Sequence, residues 1–291
     1  MKLSLGFSPC PNDTYIFDAL IHHKIDTEGL DFDVEYHDVE SLNQKAFRQE
    51  LAITKLSYHA FAYAIEDYEL LDSGSALGFG VGPLLITRNK ELAEELMGYV
   101  GKELPERLKN LVVAIPGKYT TANFLLGLAF PDLQKKKEVV FSDVEQAVAA
   151  QDVDLGLIIH ENRFTYQDKG LYKVVDLGDF WEKTTDSPIP LGGIVVRRDL
   201  PKEIKEKINR LVHESVEYAF AHPKSGIDYI RSHAQEMDEA VMYKHIELYV
   251  NMYSSDLGRT GRSAIEKMFE QAKELKLIPE TDKNIFLTER R

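Results

Sequence analysis

The sequence predicts a two-lobed α/β fold, with a second α/β lobe inserted into the first and C-terminal helices packing back on the first lobe. Three observations lead there. Strand-like and helical runs alternate through the first sixty or so residues, and the same alternation restarts near Asn89. Two apolar strand-like runs, Leu84–Arg88 and Gly193–Arg197, bound this second block and are expected to pair as the two chain crossings between lobes. From Lys202 onward the chain reads as four helices. Lobe 1 is therefore expected at 1–86 and 197–291, and lobe 2 at 87–196, with a cleft between them that can close on a ligand.

Leu3, Leu5 and Phe7 alternate as a buried strand does. Ser8, Pro9, Cys10 and Pro11 break that pattern just before Asn12 and Asp13, two good helix N-cap residues, and Tyr15, Ile16, Ala19 and Leu20 then recur at helical spacing. Phe32, Val34 and Tyr36 alternate as a second strand, Ser41 to Gln49 reads as a helix, and Leu51–Ile53 as a third strand. Lys55, Leu56 and Ser57 follow as a turn, with Ser57 placed to cap a helix containing Phe61, Ala64 and Ile65. Gly74, Gly78, Gly80 and Gly82 lead into a strand and not a helix, so they match neither a dinucleotide fingerprint nor a phosphate loop. In the second block, Leu111–Ile115 is a strand followed by Pro116 to Thr121 and a helical run through Leu128. Val139–Phe141 reads as a strand, Ser142 to Gln151 as a helix, and Asp154–His160 as an apolar strand that His160 terminates. Leu171–Leu177 is the last strand before Gly193–Arg197.

Composition narrows the function. The 291 residues carry a formal net charge of −13 with cations scattered along the chain, so neither a nucleic acid nor an anionic membrane surface is an expected partner. Cys10 is the only cysteine, which excludes an internal disulfide and a cysteine-built metal cluster. His213, His222, His233 and His245 are dispersed through the C-terminal helices without zinc-pair spacing, and no cofactor or metal is expected. With neither a leader-like start nor a run long enough to span a bilayer, the expected setting is the cytoplasm.

Three polar turns are expected at the carboxyl ends of strands, where open α/β sheets bind ligands: Ser8 to Thr14, Lys55 to Ser57, and Thr120 to Thr121. Hydroxyls beside helix N-termini suit carboxylates and phosphates, so a small anion is the expected ligand. For Ser57 and Thr120 taken singly, ordinary helix capping is the commoner role. His160 ends a rigid strand, and with an unperturbed pKa of about 6.5 it is a candidate general base. Cys10 reads as a small packing residue, with a nucleophilic thiol as the competing role.

The segments SPCPNDTYIF at 8–17, TKLSYHAF at 54–61, GSALGFGVGPLL at 74–85, PGKYTTA at 116–122 and GLIIHENRFTY at 156–166 together resemble the 1,4-dihydroxy-6-naphthoate synthases of the futalosine route to menaquinone. The resemblance extends over nearly the whole chain and implies a fold like that of type II periplasmic solute-binding proteins. It also implies a carbon–carbon lyase that converts cyclic dehypoxanthine futalosine to 1,4-dihydroxy-6-naphthoate and dihydroxyacetone without a cofactor. On that resemblance the substrate is a small-molecule carboxylate, His160 is the proton acceptor, Lys55, Leu56 and Ser57 contact the substrate, and so do Thr120, Thr121 and Ala122. The SPCPND turn is expected to form the floor of the site, with Asn12 and Asp13 supporting the contacting residues from behind. The stretch Lys102 to Lys109 is longer than the family pattern and is expected to affect a surface helix while leaving the motifs untouched. Two rivals share the fold. A chorismate dehydratase of the same pathway is expected to lack SPCPNDT and the histidine, and a solute-binding protein is expected to carry a leader or lipid anchor.

Overall fold

A computed structural model describes residues 1–234 and 238–287. The chain divides into two compact units, Met1–Gly78 with Pro190–Arg291, and Phe79–Ile189.

The first unit begins with β1 (Lys2–Phe7), whose Leu3, Leu5 and Phe7 are buried, followed by the helix Pro11–Ile21. Then come β2 (Asp31–Tyr36), the helix Val39–Phe47, β3 (Ile53–Ser57), the helix Tyr58–Ala64, β4 (Tyr68–Leu70) and β5 (Ala76–Gly78). In the second unit the order is β6 (Leu84–Thr87), the helix Lys90–Met97, β7 (Val112–Ile115), the helix Thr121–Ala129 and β8 (Lys135–Glu138). The helix Val144–Ala149, β9 (Leu155–Ile158), a short helix at Asn162–Thr165, β10 (Tyr172–Asp176) and the helix Leu177–Thr185 complete it. The chain then runs through β11 (Ile189–Arg197) into the C-terminal helices.

Among the described residues the first unit's sheet has the order β2-β1-β3-β11-β4, with β5 also on β11. β1 lies parallel to β2 and β3, and β11 runs antiparallel to β3 and β4. The helix Pro11–Ile21 packs between this sheet and the helix Lys202–Ala221. Phe7 stacks on Phe17 at 4.5 Å, and Ile16 and Leu20 share a core with Ile208, Leu211, Val212 and Val216. Burying such side chains stabilises by about 1.5–3 kcal/mol each. Ser215 is buried between the two helices, donating to Ile16 O at 2.6 Å and accepting from Leu20 N at 3.1 Å, so the contact contains no unsatisfied hydroxyl.

The second unit's sheet has the order β10-β6-β9-β7-β8. β7 is parallel to β8 and β9, while β6 is antiparallel to β9 and β10. Gly156 lets the helix Val144–Ala149 lie directly on β9, because a Cβ there would meet Val148 at 2.6 Å and Val144 at 2.8 Å.

Several expected elements shift. Leu84–Arg88 and Gly193–Arg197 do not pair with each other: β6 belongs to the second unit's sheet and β11 to the first unit's. Both are apolar because each is interior to its own sheet. The strand expected at Val139–Phe141 lies at Lys135–Glu138, where charge hid an exposed edge strand, and Phe141 instead opens a 3-10 turn at Phe141–Asp143. Lys102 to Lys109 forms turns and no helix, anchored by buried Leu104 and Leu108. Five helices, not four, follow β11 among the described residues: Lys202–Ala221, Ile227–His233, Glu239–Tyr249, Met252–Ser255 and Gly258–Glu274. No helix of the described residues is long and apolar enough to cross a membrane.

Candidate active-site groups

In the first unit, β1 and β3 are parallel neighbours, so the turns leaving their carboxyl ends emerge at one sheet edge. Cys10, and not Asn12 or Asp13, is the N-cap of the first helix; Pro11 takes the first helical position, which needs no N–H partner. Asn12 and Asp13 therefore sit in the first turn, where their side chains are free for longer-range bonds. Asp13 Oδ2 accepts from Ser8 Oγ at 2.8 Å and Ser8 N at 3.3 Å, while Oδ1 accepts from Asn12 Nδ2 at 2.8 Å and Lys55 Nζ at 2.9 Å. Lys55 Nζ also donates to Gly74 O at 3.2 Å.

Both charges are almost wholly withdrawn from water, with side-chain exposures of 8% for Lys55 and 2% for Asp13. Removing an ion pair from water costs several kcal/mol per ion unless the remaining donors and acceptors are satisfied, and here four donors converge on one carboxylate. The Asn12 amide nitrogen faces Asp13, so its carbonyl oxygen faces His245 Nε2 at 2.8 Å. An oxygen there accepts, and His245 must carry its proton on Nε2. His245 is fully buried on the helix Glu239–Tyr249, 233 residues from Asn12 in sequence, so no local pattern could have revealed the pair.

Lys55, Leu56 and Ser57 are the last residues of β3 and not a turn after it. They oppose Ile194, Gly193 and Gly192 of β11. Glycine is needed at 192, since a Cβ there would come within 2.6 Å of Leu56 O. Ser57 is the N-cap residue of the helix Tyr58–Ala64, but its side chain makes no capping bond; its backbone N donates to Asn43 Oδ1 at 3.2 Å. Asn43, fully buried, is a further residue absent from the expected set.

In the second unit, Thr120 is the N-cap of the helix Thr121–Ala129 as expected. Its Oγ1 accepts from Asn123 N at 3.2 Å and donates to Gly117 O at 2.8 Å. Thr120, Thr121 and Ala122 are all buried. Asn123 ties this helix start to β8 by accepting from Lys136 Nζ at 2.7 Å, and burial pushes the Lys136 pKa down.

His160 does not end a strand. β9 stops at Ile158, and His160 occupies the following turn with a left-handed backbone, φ +57°. A β-strand cannot continue through that conformation, which costs a non-glycine residue about 1–2 kcal/mol. The imidazole lies edge-on to Phe141 at 5.1 Å and is half-buried. Because β7 and β9 are parallel neighbours, the turn holding His160 and the turn leading to Thr120 leave the same edge of the sheet.

The descriptive family model "Menaquinone biosynthesis" matches residues 3–274. A 1,4-dihydroxy-6-naphthoate synthase of Thermus thermophilus is 42% identical over 285 residues, covering 98% of this chain and 99% of that protein. Among solved structures, a protein of Archaeoglobus fulgidus superposes with a TM-score of 0.85 at 34% identity, covering 95% of this chain and 98% of the other. The alkanesulfonate-binding protein of Xanthomonas axonopodis pv. citri superposes with a TM-score of 0.68 at 12% identity, covering 96% and 94%, which shows the periplasmic-binding-protein-like fold alone. With a match that runs almost from end to end, the chain belongs to the menaquinone-biosynthesis family.

Proposed function

We propose that this chain is the carbon–carbon lyase that converts cyclic dehypoxanthine futalosine to 1,4-dihydroxy-6-naphthoate, releasing dihydroxyacetone, in menaquinone biosynthesis. The observation that carries the proposal is the near end-to-end likeness to a synthase of that name. The acidic chain acts on a small carboxylate and not on a nucleic acid, and works in the cytoplasm.

His160 in its neutral form takes the proton of a hydroxyl on the carbon β to a carbonyl. The alkoxide collapses to a new carbonyl, the carbon–carbon bond breaks, and its electron pair passes to the α-carbon as an enolate that then takes back a proton. Hydrogen-bond donors that strengthen as the enolate oxygen gains charge lower the barrier. Ser57, whose hydroxyl is not engaged in capping, and the Thr120–Ala122 helix start hold the substrate carboxylate and hydroxyls. Two of the three Lys55 N–H donors go to Asp13 and Gly74, so its side chain serves mainly to fix the end of β3. Leu56 contributes backbone and a packed side chain, and Asn12 and Asp13 support Lys55 from behind.

The test is to incubate the purified chain separately with cyclic dehypoxanthine futalosine and with chorismate and to identify products. Formation of 1,4-dihydroxy-6-naphthoate from the first alone is expected. Dehydration of chorismate, or tight binding without turnover of either, would replace the proposal with one of its two rivals.

A further inference from the structure

The glycine-rich segment before β6 matches no phosphate or dinucleotide motif, yet the second unit uses it in a specific way. Gly80 N donates to Glu182 Oε1 at 2.7 Å, and Leu177 N donates to Pro83 O at 2.9 Å, so the segment is fastened along the helix Leu177–Thr185. At Gly82 the two backbones touch: a Cβ there would stand 2.1 Å from Gly178 N. Only glycine permits that approach. It leaves the Gly82 carbonyl and the Asp176 carboxylate as neighbouring acceptors, and one side chain takes both. Arg163 Nη1 donates to Gly82 O at 2.5 Å, and Nη2 to Asp176 Oδ2 at 2.5 Å.

Arg163 stands three residues after His160, and its backbone N donates to His160 O at 3.4 Å. Leu84, two residues beyond Gly82, pairs with Ile158, two residues before His160. The chain from Ile158 through His160 to Arg163, back across to Gly82 and on to Leu84 is thereby a closed ring of covalent and hydrogen bonds with the strained residue inside it. Strained backbone of this kind persists only where its surroundings over-determine it. Asp176 is itself fixed, since its other oxygen caps the helix Leu177–Thr185 by accepting from Gly178 N at 2.9 Å and Asp179 N at 3.3 Å. A planar guanidinium with a rigid fork of donors suits two acceptors at fixed separation, whereas an ammonium is a point donor.

We propose that Arg163 is a positioning residue for His160, clamping the His160 turn to Gly82 and Asp176 so that the imidazole is held where it accepts the substrate proton. The proposal rests on the assignment of His160 as the base. Arg163→Ala is expected to lower kcat on the order of 10–100-fold, the scale set by misplacing a catalytic group by about an ångström, while KM changes little. Arg163→Lys should recover only part of the loss, and guanidinium ion added to Arg163→Ala should recover more than ammonium does. In a His160→Ala background, adding Arg163→Ala should change the residual rate very little, because there is no longer an imidazole to position.

Unfolding midpoints of each variant separate misfolding from misplacement; should Arg163→Ala fail to fold, Arg163→Lys and Asp176→Asn carry the same comparison. If His160→Ala abolishes turnover while the Arg163 variants keep wild-type kcat, or if the two losses multiply, the clamp is overturned and the base assignment survives. If His160→Ala itself keeps turnover, the base assignment falls and the clamp's catalytic role with it.

Discussion

The carboxyl edges of the two sheets solve opposite problems. In the first unit, Asp13 and Lys55 are charged and buried on ordinary backbone, and each lone pair or donor that matters is met by a named partner: Ser8, Asn12, Gly74 and, one step further, His245. In the second unit, His160 is half-buried on a left-handed backbone, with its ring against Phe141 and its turn braced by Arg163. A saturated network has little left to react with and holds its shape; it suits a surface that must present a strand end to a ligand. A strained turn carrying an imidazole suits proton transfer, because its neighbours supply the rigidity that holds the ring in place.

That contrast can be broken from the first unit most forcefully. Asp13→Ala leaves the Lys55 ammonium buried without its carboxylate and should cost about 3–5 kcal/mol in urea unfolding, whereas Asp13→Leu combined with Lys55→Met should recover most of it. A loss below about 1 kcal/mol for Asp13→Ala would mean that the network does not hold the strand end. Ser57→Ala should weaken substrate binding about tenfold with kcat nearly unchanged, the scale of one hydrogen bond, read from KM and from titration with product. Cys10→Ala should leave most of the rate and cost only modest stability, since a small buried thiol contributes mainly contacts. Complete loss of turnover in the folded variant would instead favour covalent chemistry.

The smallest effect sharpens the comparison inside the second unit. Burial pushes the Glu145 carboxyl above its ordinary pKa, partly opposed by Lys169 at 2.5 Å. The folded chain therefore holds that proton more tightly than the unfolded chain. The associated stability is present below the ordinary carboxylate pKa of about 4.3 and is lost as pH rises through the raised folded value. Glu145→Gln should flatten the fall in melting temperature across that window, and identical pH slopes in both proteins would remove Glu145 from the account.

The sequence showed what depends on near neighbours. β1 and the helix after it follow from alternation and helical spacing, and Thr120 follows from cap chemistry. Contacts from afar were hidden. Lys55, Leu56 and Ser57 looked like a turn because Lys55 and Ser57 are polar, yet all three are strand residues, held by Asp13 and Gly74 at Lys55 and by β11 along the strand. His160 was read into its strand because Ile159 continues the apolar run, and nothing local announces a left-handed residue that is not glycine. His245 looked dispersed because its partner lies in the first helix. The glycines before β6 looked like a failed phosphate loop because their partner, Gly178, lies almost a hundred residues on.

The division of labour between the two edges is tested most directly by measuring turnover and substrate affinity together in His160→Ala. The expected variant is folded and binds substrate about as tightly as the wild type, with kcat lower by about 10²–10⁴-fold, the usual cost of removing a general base. Near wild-type turnover, or loss of binding in place of turnover, would contradict that division.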